Sequence, residues 1–299
     1  MISIEESKKA LTGPIASVST PFKKTGEIDY EGLNNIVEFI IEAGSKTVLL
    51  TYGDSLYSIL TDDEIADITR RVVEQTKGRA MTVVAGSWWL GKSIEFADYA
   101  KNLGADIFMP LPPDWVQSGS NDNLVDFYTK ISKVIPVMMV TNLGKRAIPM
   151  NVIETLMDNE NNVVAVKDDK CGQYGKEVAK VVNGRYAFLS GGRMMNHMDV
   201  MPYGVDGYLS VYMRFKPEIA YRYWDAVESN KIEEAISIIE KYDKPFMEEL
   251  PKQLGLNFDA LIHAAMEVSG ICERWRRNPY MNANDEQMEY IREFILGQD

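Results

Sequence analysis

A chain of 299 residues that is 45% hydrophobic and 25% charged has an ordinary globular composition and length enough for a large core. Its formal charge of −12, from 32 Lys and Arg against 44 Asp and Glu, provides no basic stripe for phosphates and argues against a nucleic-acid partner. No apolar run approaches ~18 residues, so no membrane-spanning helix is predicted. The opening "MISIEESKKALTG" lacks an apolar signal core. The two cysteines, Cys171 and Cys272, give no disulfide framework and fit a reducing compartment. A cytoplasmic protein is expected.

Apolar, β-rich runs recur in chain order: "IASVST" (15–20), "KTVLLTY" (46–52), "MTVVAGS" (81–87), "DIFMPLP" (106–112), "PVMMVTN" (136–142), "VVAVK" (163–167), "YAFLS" (186–190) and "GYLSVY" (207–212). Most do not alternate apolar with polar residues. They read as strands buried on both faces, the pattern of a parallel sheet. Helical patterns sit between them. "YEGLNNIVEFIIEAG" spaces Leu33, Ile36, Val37 and Ile40 on one face. "TDDEIADITRRVVEQTKG" offers Thr61 as N-cap with Glu64 at capping-box spacing. "KSIEFADYAKNLGAD" and "DNLVDFYTKISKVI" follow the third and fourth runs, and Gly44 and Gly104 stand at C-cap positions.

Eightfold strand–helix alternation predicts a (β/α)8 TIM barrel of the α/β class. The alternative is an open doubly wound sheet, but no Gly-x-Gly-x-x-Gly follows the first run to support dinucleotide binding. Residues 1–225 are expected to form the barrel. Residues 226–299 read only as helices, a small C-terminal extension packed on the barrel or on a neighbouring subunit.

The sixth run ends on Lys167, in "NNVVAVKDDKCG". Active sites of such barrels lie at the C-terminal strand ends, so this lysine is expected at the mouth above an apolar stem. Desolvation there disfavours the ammonium form, and a neutral amine can attack a carbonyl and form a Schiff base. A lysine reaching solvent or pairing with Asp168 or Asp169 is the plainer reading.

The chain resembles the dihydrodipicolinate synthase / N-acetylneuraminate lyase family of class I pyruvate aldolases, over nearly its whole length. The segments that carry the resemblance are "STPF" with "GEIDYEGL", "TYGDSLYSILTDDE", "MMVTNLGKRAIP", "AVKDDKCG", "GVDGYLSVYMRFKPE" and "RRNPY". The resemblance implies that Lys167 forms an imine with pyruvate. It implies that Thr51 and Tyr52 hold the pyruvate carboxylate, with Gly53 and Asp54 completing that segment. It makes Arg146 the grip on a distal carboxylate, for which its planar fork is suited. Gly191 and position 208 in the eighth run (Tyr208) are expected as further substrate contacts. No separate cofactor and no metal are expected; the two histidines, His197 and His263, have no ligand-like spacing. The expected partner is a small 2-keto acid, and the expected assembly a homotetramer or homodimer.

The resemblance departs on the fifth run. The family's catalytic tyrosine precedes Asn142, and here that position is Thr141. A second family tyrosine falls where "LPPDW" has Asp114 and Trp115. Tyr52 or Tyr57 could bring a phenol into the gap. Thr141 is expected to line the site. Gly192, Arg193 and Met194 replace the acidic pair that sialic-acid-cleaving members carry, which argues against a polyol substrate. Lys145, Arg146 and Arg193 together indicate a second anionic group. Trp88 and Trp89 could wall the pocket. Three functions follow: a lyase or aldolase on an acidic 2-keto compound, a catalytically weak keto-acid binder, or a Schiff-base barrel for a phosphorylated sugar.

Overall fold

The structure, a computed structural model, describes residues 2–113, 119–144, 146–159 and 161–298. Its centre is a closed barrel of eight parallel strands: β1 (Gly13–Ser17), β2 (Thr47–Leu49), β3 (Met81–Ser87), β4 (Ile107–Leu111), β5 (Val137–Val140), β6 (Val163–Asp168), β7 (Ala187–Ser190) and β8 (Gly207–Leu209). Consecutive strands pair, and β1 closes the ring by pairing with β8. Nearly every strand residue is buried. The outer face lies under helices and the inner face is a packed interior, so the runs show no alternation. A short antiparallel hairpin, Asn142–Leu143 with Arg146–Ala147, follows β5.

Helices α2 (Tyr30–Glu42), α3 (Asp62–Thr76), α4 (Leu90–Leu103), α5 (Asn121–Ser132), α6 (Met150–Asp158), α7 (Gly172–Val182), α8 (Met194–Val200) and α9 (Pro217–Glu228) connect or follow the strands. Thr61 and Glu64 form the expected reciprocal capping box, and Gly104 ends α4 in the left-handed conformation.

The sequence reading omitted α1 (Ile4–Leu11), which Ser3 and Glu6 start with their own capping box. This helix covers the N-terminal end of the barrel. Thr47 donates its hydroxyl to the Ala10 carbonyl at 2.8 Å. A Cβ at Gly207 would come within 2.0 Å of the Leu11 carbonyl oxygen, so glycine is required for this closure. The opposite end, at the strand C-termini, stays open.

The expected boundary at residue 225 falls inside α9. Beyond it, α10 (Ile232–Ile238) continues through π-helical turns at Ile239–Asp243 and Pro245–Glu249 into α11 (Leu250–Leu254), followed by α12 (Phe258–Val268) and α13 (Asp285–Leu296). Pro245 has no amide hydrogen for the α-helical ladder, a recognised cause of such irregularity. The π-helical stretch contains Asp243, buried against the barrel. Its carboxylate accepts from Arg193 Nε at 3.0 Å and from the Met194 amide at 3.3 Å, while Arg193 also reaches Glu248 at 2.8 Å. Arg193 was expected to bind an anionic substrate. It instead joins the β7 loop to the extension, because two protein carboxylates already hold its guanidinium. Burial pushes the Asp243 carboxyl up, against the lowering effect of Arg193.

Removing one partner from a buried ion pair leaves an uncompensated charge. Arg193→Ala is therefore expected to lower the unfolding free energy by about 3–5 kcal/mol, read as a shift of the urea midpoint. An unchanged midpoint would show that this pair does not hold the extension.

Candidate active site

The open end of the barrel holds a cavity of about 310 Å³. Thr51, Tyr52, Lys167, Asp169, Leu209 and Arg214 all face it. Lys167 stands one residue before the end of β6 and is only 4% exposed. Its Nζ donates to the Asp169 carboxylate. This pairing offsets the cost of burying an ammonium and leaves the group against the cavity.

The turn after β6 is built around Asp168. Its carboxylate accepts the Thr141 hydroxyl at 2.7 Å, the Lys170 amide at 3.0 Å and the Cys171 amide at 3.1 Å. The Thr141 hydroxyl in turn accepts the Asp169 amide at 3.0 Å. Two glycines leave space for the two carboxylates. A Cβ on Gly175 would lie 2.3 Å from Asp168 Oδ2, and one on Gly191 would lie 2.2 Å from Asp169 Oδ1. Burial and Asp168 push the Cys171 thiol up to about 12, so it stays a thiol at neutral pH and is no nucleophile there.

The second strand's loop contributes Thr51 and Tyr52. The loop is fixed to β1 through Ser55, which takes the Thr51 amide at 3.0 Å and donates its hydroxyl to the Val18 carbonyl at 2.6 Å. The Thr51 hydroxyl accepts the Asp54 amide at 3.0 Å. A hydroxyl both accepts and donates, so its proton can serve a ligand oxygen.

Several expected residues lie elsewhere. Thr141 is fully buried and turned to Asp168, with its hydroxyl engaged in both directions. Its neighbours Val140 and Asn142 face the cavity instead. Strand alternation puts 140 and 142 on one face and 141 on the other. Tyr208 also points outward. It packs on His197, Tyr223 and Trp224, and its hydroxyl reaches the Ala220 carbonyl at 3.4 Å. Leu209 occupies the cavity side of β8. Gly191 abuts Asp169, and Gly192 lines the cavity. Arg146 sits on the hairpin and donates to the Gly119 carbonyl at 3.3 Å; it does not line the cavity. Tyr57 is buried, with its ring 6.4 Å from that of Tyr52. Trp88 donates to Asp62 at 2.8 Å and Trp89 is largely exposed; neither faces the cavity. Asp114, Trp115 and Lys145 lie outside the described residues.

Arg214 was not anticipated as a site residue. It lies in the turn after β8, within the resembled segment "GVDGYLSVYMRFKPE". Only 2% of the residue is exposed, and its Nε has no hydrogen-bond partner among the described residues. One guanidinium nitrogen donates to Ser19 Oγ at 3.2 Å and stands 3.8 Å from Asp54 Oδ2. Behind it, burial and Asp54 push the Asp259 carboxyl up. Burial, with Arg276 and Arg214 nearby, pushes the His263 imidazole down to about 3, so it is neutral at neutral pH. Arg214 and Lys167 are thus the two cationic side chains lining the cavity among the described residues.

The chain is similar to known proteins throughout its length. It is 26% identical over 296 residues to the 4-hydroxy-tetrahydrodipicolinate synthase of Chlorobaculum parvum, covering 93% of this chain and 94% of that one. It is 23% identical to a Streptomyces coelicolor protein named "Probable 5-dehydro-4-deoxyglucarate dehydratase 1", covering 95% and 92%. Among solved structures, N-acetylneuraminate lyase from Fusobacterium nucleatum superposes with a TM-score of 0.85 at 17% identity, covering 96% of this chain and 99% of that one. A prophage protein of the dihydrodipicolinic acid synthase family from E. coli K12, in complex with pyruvate, gives 0.83 at 20% identity, covering 96% and 98%. The dihydrodipicolinate synthetase family model matches residues 10–296. The chain belongs to the dihydrodipicolinate synthetase family and is an enzyme of its lyase and aldolase chemistry.

Proposed function

We propose that this enzyme is a pyruvate-dependent Schiff-base lyase or aldolase, which condenses pyruvate with, or releases it from, an acidic 2-keto compound. The observation that carries the reading is Lys167. Its buried amine opens on a cavity of about 310 Å³, at the end of the barrel where such chemistry is expected. An imine on Nζ would withdraw electrons from the bond next to the keto carbon, so no further cofactor is required. In this reading the Thr51 hydroxyl and the Tyr52 backbone hold the pyruvate carboxylate.

The distal anion is better matched by Arg214 than by Arg146. Arg214 faces the cavity from a site sheltered from solvent, where a charge-assisted hydrogen bond to carboxylate is strong. The substrate class is accordingly a 2-keto acid with a second carboxylate.

The second reading, a weak keto-acid binder, is favoured by one observation. Val140 and Asn142, with no phenol, fill the fifth strand's share of the cavity. The free cysteines and the family resemblance keep a cytoplasmic homotetramer or homodimer as the expectation.

Borohydride reduction in the presence of pyruvate, followed by peptide mapping, tests the first reading. A reduced adduct on Lys167 is expected, and Lys167→Arg should abolish it. Pyruvate that raises the melting temperature without forming an adduct would support the binder instead. For the substrate class, Arg214→Met should weaken a 2-keto diacid about 10- to 100-fold, the loss expected for a charge-assisted hydrogen bond. It should also remove discrimination against the monocarboxylate of equal length. Competition against pyruvate adduct formation reads both effects; discrimination that persists would assign the distal anion to another residue.

A further inference from the structure

Resting on the Schiff-base reading, we propose that Asp169 is a catalytic residue: its carboxylate carries the proton at Lys167 Nζ while the imine forms and hydrolyses. Four observations converge on it. Asp169 contacts Nζ itself. It faces the same cavity as Lys167. Its backbone is held by the Thr141 hydroxyl, which Asp168 orients. The space beside its Oδ1 exists only because residue 191 is glycine. A surface ion pair would need none of this support. Thr141 and Asp168 are therefore positioning residues, and the group that handles the proton is the carboxylate they aim. Tyr52 and Asp54 are the other cavity side chains able to exchange a proton; both come from the loop after β2, and the Asp54 carboxylate already accepts the Ser17 hydroxyl at 2.6 Å.

The proton balance closes on Lys167 and Asp169. Lys167 starts as ammonium, and Asp169 takes one of its protons. The neutral Nζ attacks the keto carbon, forming the N–C bond while the C=O electron pair moves to oxygen. A proton passes from Nζ to that oxygen, giving the carbinolamine. Asp169 then returns its proton to the hydroxyl; the C–O bond breaks, water leaves, and the nitrogen lone pair makes the C=N bond. Ammonium and ketone become iminium and water, and Asp169 ends as carboxylate. No oxidant or further reactant is required.

The test is the rate of imine formation. Protein is mixed with pyruvate, quenched with borohydride at increasing times, and the adduct fraction is read by intact mass. Asp169→Asn keeps the size of the side chain and loses proton exchange. It is expected to slow adduct formation by about 100-fold or more, the usual range for general acid–base catalysis. Tyr52→Phe is expected to slow it less. Asp169→Ala opens a space for a small carboxylate, and added formate should restore part of the rate, an effect that a purely structural role would not give. Adduct forming in Asp169→Asn at the wild-type rate would overturn the assignment, as would a larger defect in Tyr52→Phe or failure of formate to restore Asp169→Ala. A wild-type protein that forms no adduct would overturn the Schiff-base reading as well, which separates the two failures.

Discussion

An ammonium group at the end of a buried strand is costly unless a partner stands beside it. In this barrel the partner is two residues along the same strand end, Asp169, and the organisation of the site follows from that pairing. Strand alternation puts residues 167 and 169 on the same face, and the chain turns just beyond them, at 170 and 171. Asp168 makes the turn possible by accepting two of its amide hydrogens and the Thr141 hydroxyl. Gly175 and Gly191 leave room for the two carboxylates. The adjacent strands β5 and β7 pair with Lys167 through Val140 and Leu189, and the residues just past them shape its surroundings: Thr141 supplies a hydroxyl and Gly191 an absent side chain.

The charges around the cavity divide into two sets. Lys167 and Asp169 neutralise each other on the β6 side. Across the mouth, Arg214 stands near Asp54, with Arg276, Asp259 and His263 behind it. Burial pushes the Arg276 guanidinium down and the Asp259 carboxyl up, each toward its neutral form. A ligand carrying one carboxylate near Thr51 and another near Arg214 would meet a hydrogen-bond donor at each end. That arrangement fits an acidic keto compound better than a sugar chain rich in hydroxyls. The sequence-level argument against a polyol rested on Gly192, Arg193 and Met194 standing in place of an acidic pair; of these, the structure ties Arg193 to Asp243 and Glu248. The cationic side chain that lines the cavity beside Lys167 is Arg214 instead.

The barrel was legible because its signals are strong and local: eight apolar runs, a capping box at Thr61, a glycine at 104. The place of Lys167 at the barrel mouth was legible because an apolar run ends on it, and its pairing with Asp169 was the plainer of the two readings; the imine role came from the family resemblance. The phase of each strand was not. A strand buried on both faces has no polar–apolar alternation, so "VMMVTN" does not say whether 140 or 141 faces inward, and "GYLS" does not say so for 208 or 209. Thr141 and position 208 were assigned to the cavity from the family motifs, with no strand phase to check the register, and both face the other way. Arg193 was misread because its partners, Asp243 and Glu248, lie fifty residues or more along the chain. The helix α1 escaped notice because its cap and charges carry little apolar pattern; its purpose, closing the barrel's base, appears only once Gly207 lies beneath Leu11.

The central claim is a covalent bond between Lys167 and a keto carbon, and a crystal structure of the protein soaked in pyruvate tests it most directly. The account predicts continuous density from Nζ to the keto carbon, the pyruvate carboxylate against Thr51 and the Tyr52 backbone, and Asp169 within hydrogen-bond distance of the new nitrogen. Pyruvate bound without a covalent link, with Lys167 still paired to Asp169, would contradict it.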